Sequence, residues 1–200
     1  MSKPSPLELY TIREATEADA PQILEIYNER ILNSTCLFMY DAVPLENRIN
    51  WLRDSKAKGY PVIVAAEKET NKAIAYASYG GFRPHTAYVL SSEISVYINL
   101  AHHRRGLGAV MLEEMMRIAK EMKLRSIIAS ITSENTASIL LFEKYGFKYS
   151  GKFSDVGYKF GRYLDVTFLE YITGEEAVVT DGIPAFEPFP WGNYVFGGAK

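Results

Sequence analysis

The chain has 200 residues, 48% hydrophobic and 23% charged, which is enough apolar material for one compact domain with a real core. Its formal net charge of -2 supplies no global drive toward nucleic acid, since non-specific binding rests on neutralising many phosphates. The single cysteine, Cys36, excludes an internal disulfide and a cysteine-rich zinc site, Met1 to Tyr10 lacks the apolar block of a secretory signal, and no apolar run approaches the ~20 residues that span a bilayer, so the cytoplasm is the expected location.

Leu9 to Arg13 alternates like an edge strand, and Thr16-Glu17-Ala18-Asp19 resembles a capping box opening a helix. That helix carries Ile23, Ile26, Tyr27 and Ile31 at helical spacing, so one of its faces is expected to be buried. Leu45 to Lys58 reads as a second helix, closed by Gly59 and Pro61. Val62 to Glu67 is apolar and β-branched, Thr70-Asn71-Lys72 has turn composition, and Ala73 to Phe82 continues as a hairpin partner. Beyond Pro84 come a strand over Glu93 to Ile98, a helix over Val110 to Met122 and a strand over Ser126 to Ile131. A short helix over Asn135 to Tyr145 follows, then strands over Lys148 to Val156 and Tyr163 to Ile172. From Thr173 the composition changes. Pro184, Pro188, Pro190, Gly192, Gly197 and Gly198 argue against regular elements, yet Phe186, Phe189, Trp191, Tyr194 and Phe196 are poorly placed in water. We expect a domain over residues 1–172 and an extended arm over 173–200, packed on the domain or a second subunit, with disorder as the alternative.

His103-Arg104-Arg105-Gly106-Leu107-Gly108-Ala109 joins the central strand to the following helix. A glycine-rich turn opening a helix leaves several backbone N–H groups unpaired at the positive end of the helix dipole, which suits a phosphate or pyrophosphate. A P-loop requires Gly-Lys-Ser or Gly-Lys-Thr, whereas Gly108 is followed by Ala109-Val110. A dinucleotide fingerprint requires a third glycine where Met111 stands, and an acid where Ile131-Thr132 end the next strand. Both fail on residues. The adjacent His102 and His103 would chelate poorly and have no further ligands in view, so no metal is expected.

Strand, turn and helix together resemble the central motif of the GNAT superfamily of N-acetyltransferases, Gln/Arg-x-x-Gly-x-Gly/Ala, from which His103 departs at the first position. The resemblance extends over Ile12 to Ile172 and is closest to the phosphinothricin and methionine sulfoximine N-acetyltransferase branch. It is carried by the opening Ile12-Arg13-Glu14-Ala15-Thr16-Glu17-Ala18-Asp19, by Glu93-Ile94-Ser95-Val96-Tyr97-Ile98, and by the stretch from Val156 to Val166. It implies an α/β (α+β) fold with a mixed, mostly antiparallel sheet of about seven strands, splayed at a central parallel pair and flanked by about four helices.

It further implies acetyl-CoA as cosubstrate and a small amino-acid-like amine as acceptor. Only a free amine attacks a thioester, so a base must take its proton. Glu93 is similar to the glutamate given that role, the alternative being an ordinary strand carboxylate. Backbone groups of Val96, Tyr97 and Ile98 would pair with the pantetheine arm, and an N–H of that segment would steady the acetyl oxygen as it gains charge. The turn from His103 through Arg104, Arg105, Gly106, Leu107 and Gly108 to Ala109 would hold the diphosphate. Asn135 resembles a cofactor-contacting asparagine, although helix capping explains it equally well, and Lys144 would reach the 3′-phosphate unless it merely favours its helix end. Phe142 departs from the tyrosine or histidine credited with protonating the leaving thiolate. Arg83, with His85 as a partial substitute for a second arginine, would meet an acceptor carboxylate, and Phe38, Tyr158 and Lys159 would wall the acceptor site. Relatives in this branch are often homodimers. The competing readings are transfer to a protein or polyamine amine, and a non-catalytic CoA-binding module whose aromatic tail recruits a partner.

Overall fold

The computed structural model describes residues 5–198. After a short turn of helix, α1 (Pro6–Leu9), the chain runs β1 (Tyr10–Glu14), α2 (Ala20–Asn33), α3 (Leu45–Ala57), β2 (Val62–Glu67), β3 (Ala73–Gly81) and β4 (Ser91–Ile98). It continues with α4 (Leu107–Glu121), β5 (Ser126–Thr132), α5 (Thr136–Lys144), β6 (Lys148–Lys159) and β7 (Arg162–Ile172), and ends in a small hairpin, β8 (Val178–Thr180) and β9 (Ile183–Ala185). The first seven strands form one sheet in the order β1-β2-β3-β4-β5-β7-β6. Every neighbouring pair in it is antiparallel except β4 and β5.

Alternation along β2 sorts the core into two layers. Val62 and Val64 face Ile23, Ile26 and Leu52 of α2 and α3, whereas Ile63 and Ala65 face Met111, Leu112, Met115 and Ile118 of α4. Asp19 fixes the entry to α2, since its carboxylate accepts from the Thr16 N–H at 2.8 Å and from both Arg13 Nη atoms at 2.8 Å. Most boundaries fall within one or two residues of the sequence expectation, and three larger differences stand out. α4 starts at Leu107 rather than Val110, because the left-handed Gly106 (φ 79°) starts the helix directly. β6 continues past Val156 to Lys159, with register irregularities near Gly151 and Gly157 that blur its alternation. The tail holds a hairpin after all, turned by Asp181-Gly182 with both φ angles positive, as a two-residue hairpin turn requires. Beyond it the arm lies on its own domain: Phe189 is buried, Phe186 stacks on Tyr60 at 5.0 Å, and the Tyr194 hydroxyl donates to Glu114 on α4 at 2.7 Å.

Candidate active site

β4 and β5 are joined by three rungs, Ser91 to Ser126, Ser92 to Ile127 and Glu93 to Ile128. Beyond Glu93 they diverge, while β5 stays paired with β7 and β4 with β3. A cavity of about 980 Å³ fills the opening, and Glu93 stands at its fork. Among the described residues the Glu93 carboxylate has neither a hydrogen-bond nor an ion-pair partner.

Register decides which backbone groups face this cavity. The Asn99 N–H donates to the Ile74 carbonyl and the Phe82 N–H to the Ser91 carbonyl, which sets the alternation of bonded and non-bonded rungs between β3 and β4. Glu93, Ser95 and Tyr97 therefore spend their backbone groups on β3, the Ile94 N–H closes the last rung to Ile128 on β5, and the backbone groups of Val96 and Ile98 point into the opening. This corrects the expectation for Tyr97, whose backbone is committed to Tyr76 and whose side chain alone lines the cavity. The Ile98 carbonyl is also engaged, accepting from Arg30 Nη2 at 2.9 Å with His103 Nε2 at 3.0 Å, so Ile98 offers its N–H.

The glycine turn closes the far end. Among the described residues the N–H groups of Arg104, Arg105, Gly106, Leu107 and Gly108 have no acceptor, whereas Ala109 already donates to the Gly106 carbonyl at 3.2 Å. Ala109 thus belongs to the first turn of α4, and the free amides stop one residue short of the expected cradle. A Cβ on Gly108 would come within 3.2 Å of Leu141 and 3.4 Å of Ile98, so glycine lets α4 press against the cavity wall. The Arg105 guanidinium turns away to the Tyr10 hydroxyl at 3.1 Å, and that hydroxyl meets His102 Nδ1 at 2.8 Å. Burial lowers the pKa of His102.

Asn135 lines the cavity, but its Oδ1 caps α5 by accepting from the Ser138 N–H at 3.3 Å. Phe142 is buried at the cavity floor in edge contact with Phe147 at 4.9 Å. Lys144 is exposed on the last turn of α5, outside the lining.

The acceptor side needs more correction. Phe38 lines the cavity, its ring occupying the space a Cβ on Gly157 would fill. Tyr158 is exposed outside the lining, its carbonyl accepting from the Tyr40 hydroxyl at 2.6 Å and its ring against Tyr163. Lys159 is likewise outside the cavity lining. Its ammonium is buried and donates to the carbonyls of Ile31, Ser34 and Leu37 at 2.5, 2.8 and 2.7 Å, tying down the segment between α2 and α3. Arg83 and His85 are exposed in the loop between β3 and β4 and absent from the lining; the Arg83 guanidinium lies over its neighbour Phe82 at 4.6 Å. Within that loop the Phe82 ring makes an edge contact with Tyr88 at 5.8 Å.

Sequence reasoning missed Arg30, which caps Ile98, and Glu134, whose carboxylate joins Thr35 to Arg162 across the cavity rim at 2.7 Å on either side. It also missed Arg48, which lines a second cavity beside the first. A basic residue on a mixed polar helix carries no sequence signal of burial. Among the described residues no group of His, Cys, Asp and Glu could hold a metal ion, and no helix is long and apolar enough to cross a membrane.

A mixed sheet opened along its parallel pair, with a glycine-turn helix N-terminus at the opening, defines the class as an acyltransferase. The chain belongs to the acetyltransferase (GNAT) domain family, whose model matches residues 12–168. It is 39% identical over 160 residues to the L-methionine sulfoximine/L-methionine sulfone acetyltransferase of Pseudomonas aeruginosa, covering 80% of this chain and 92% of that protein. Among solved structures it is similar to a ribosomal-protein-alanine N-acetyltransferase from Brucella melitensis, with 41% identity, a TM-score of 0.79 and coverage of 81% of this chain and 99% of that one. It is also similar to a phosphinothricin acetyltransferase from Sinorhizobium meliloti in complex with acetyl-CoA, with 30% identity, a TM-score of 0.82 and coverage of 88% and 95%.

Proposed function

We propose that the chain transfers the acetyl group of acetyl-CoA to the primary amine of a small amino-acid-like acceptor, with Glu93 as general base. The observation that carries this reading is the position of an unpaired Glu93 carboxylate at the fork of β4 and β5, at one end of a cavity whose other end presents the free amides of Arg104 to Gly108. Those amides, at the positive end of α4, suit the diphosphate of the donor, and the groups of Val96 and the Ile98 N–H suit the amides of its pantetheine arm. Glu93 takes the proton of the acceptor amine, directly or through one water, as the nitrogen lone pair attacks the thioester carbon. A C–N bond forms, the C–S bond breaks, and the electron pair leaves on sulfur as the CoA thiolate. The N–H of Val96 or Ile98, the two of that segment that face the opening, offsets the charge that gathers on the acetyl oxygen. Phe142 has no proton to give, so the thiolate leaves unprotonated and takes its proton from solvent.

The relatives named for methionine sulfone and phosphinothricin support a small acceptor, and the Brucella relative supplies the competing one, a protein N-terminus. Thiol release from acetyl-CoA, followed across phosphinothricin, methionine sulfoximine, methionine sulfone, polyamines and an alanine-terminated peptide, tests the reading. Turnover on the amino acids that falls at least about 100-fold in Glu93→Gln is expected; binding without turnover on any amine would favour the non-catalytic module. The same proposal includes the cytoplasm as the place of action and a homodimer. β6 is an edge strand that exposes Tyr149, Phe153, Val156 and Tyr158, and an apolar edge of that length calls for cover. Sedimentation at twice the 22.6 kDa chain mass is the expected result.

A further inference from the structure

A second cavity, of about 190 Å³, lies on the same sheet face as Glu93 and shares Leu37, Ser95 and Tyr97 with the larger one. Its chemistry is unusual for a core. Arg48 is 8% exposed, yet no carboxylate pairs with it among the described residues. Its guanidinium is clamped between rings, 3.9 Å from the centre of Tyr27 and 4.9 Å from that of Trp51, and bonds only Asn47 Oδ1 through Nε and Nη2. Nη1 has no acceptor. Across the cavity the Tyr76 hydroxyl is buried without any hydrogen-bond partner, and burial keeps that phenol protonated, hence a donor. Ser78 and Ser95 add hydroxyls from an adjacent rung of β3 and β4. A buried cation without a counter-charge and a buried phenol without a partner each cost free energy, and one oxygen-rich or anionic group would answer both.

Resting on the acetyl-transfer reading above, we infer that this cavity receives the oxygen-bearing end of the acceptor's side chain, a sulfone, sulfoximine or phosphinate, through Arg48 and Tyr76. Reach favours that end over the α-carboxylate. Ser95 lies two residues beyond Glu93 on β4, about 7 Å along the strand. Four bonds separate the amine nitrogen from the sulfur of methionine sulfone or the phosphorus of phosphinothricin, which with the terminal oxygens spans about 6–7 Å, whereas the α-carboxylate lies only about 3.5 Å from the amine. The amine can therefore sit at Glu93 while the distal oxygens enter the Arg48 cavity between the aromatic walls.

The test compares acceptors differing only in those oxygens. For L-methionine sulfone against L-methionine, the ratio of kcat/KM should fall about 10- to 100-fold in Arg48→Met and about 3- to 10-fold in Tyr76→Phe, through KM rather than kcat. Tyr76→Phe removes one oxygen and keeps the packing, so it remains informative should Arg48→Met fail to fold. Calorimetry of L-methionine sulfone binding to the CoA-saturated protein gives a readout that does not require turnover, so a failure of acetyl transfer is distinguishable from a failure of this assignment. A ratio that stays constant in both variants, or sulfone binding unchanged in Tyr76→Phe, would overturn it.

Discussion

Replacing Lys159 with methionine tests whether the acceptor wall is held by one buried cation. Lys159 is 3% exposed, and its ammonium makes three charge-assisted bonds to the carbonyls of Ile31, Ser34 and Leu37, which close the C-terminal end of α2 and the segment after it. Methionine keeps the length and apolar stem but leaves three acceptors without their donor. At about 1–3 kcal/mol for each unmet buried group the gross loss is about 3–9 kcal/mol. Removing the cation also relieves its desolvation, the effect that lowers the ammonium's pKa, and water reaches the less buried Ser34 and Leu37 carbonyls. We expect a net destabilisation of about 3 kcal/mol, and at about 2–4 °C per kcal/mol for a chain of this size the melting temperature should fall by about 6–12 °C. Because Leu37 and Phe38 line the cavity at this point, KM for the acceptor should rise while the dissociation constant for acetyl-CoA changes by less than about 2-fold. Thermal unfolding by circular dichroism and calorimetry with acetyl-CoA read the two quantities. A melting temperature within 1–2 °C of wild type, or an equal loss of affinity for the donor, would refute the reasoning.

Three further outcomes follow from single contacts. Gly157→Ala places a methyl group where the Phe38 ring lies, so the ring must swing and KM for the acceptor should change several-fold at nearly constant melting temperature, as steady-state kinetics would reveal. Burial raises the pKa of Asp19, but its bonds to Arg13 and Thr16 outweigh that and set it below the ordinary value. The stability it supplies is therefore complete above the unfolded pKa of about 3.9 and disappears as pH falls through the lower folded value; Asp19→Asn should cost about 2–3 kcal/mol at pH 7 and flatten the loss of urea midpoint below pH 4. Phe142→Tyr should alter turnover less than about 3-fold, because the CoA thiolate leaves without an acid; a large gain in single-turnover rate would mean that protonation limits the reaction.

Much of the frame was legible because burial repeats at regular spacing. Ile23, Ile26, Tyr27 and Ile31 recur at helical spacing along α2, whereas β2 is buried on both faces and was legible from its short β-branched apolar run rather than from alternation. The glycine turn was legible for a different reason: Gly106 must adopt a left-handed φ, and that demand is written in residue type. What failed depends on distant parts of the chain. Whether Tyr97 offers its backbone to the opening follows from the register against β3, which local sequence does not encode. Lys159 reads as a surface lysine until the fold brings carbonyls from residues 31 to 37 around it. Arg83 and His85 sit in the loop between β3 and β4, whose course relative to the cavity is set by the fold and not by local residue type. The Asp181-Gly182 pair was a usable hairpin signal in the tail, hidden by the surrounding prolines.

The two halves of the cavity are built from different materials, and that has a consequence for specificity. The donor half consists mainly of backbone: free amides from Arg104 to Gly108, the unpaired edge of β4 beyond Glu93, and a helix dipole. Such groups are insensitive to side-chain identity, which is why departures at His103 and Phe142 leave the frame intact. The half proposed for the acceptor is lined by side chains drawn from α2, α3, β3, β4 and the loop after α2, a loop that Lys159 holds from the far edge of the sheet. A substitution there changes shape and charge directly. Differences in acceptor choice among chains of this fold should therefore track residues such as Tyr27, Arg48, Trp51 and Tyr76. Exchanging those four side chains for another family member's should move the ranking of acceptors with less than about a 3-fold change in acetyl-CoA affinity.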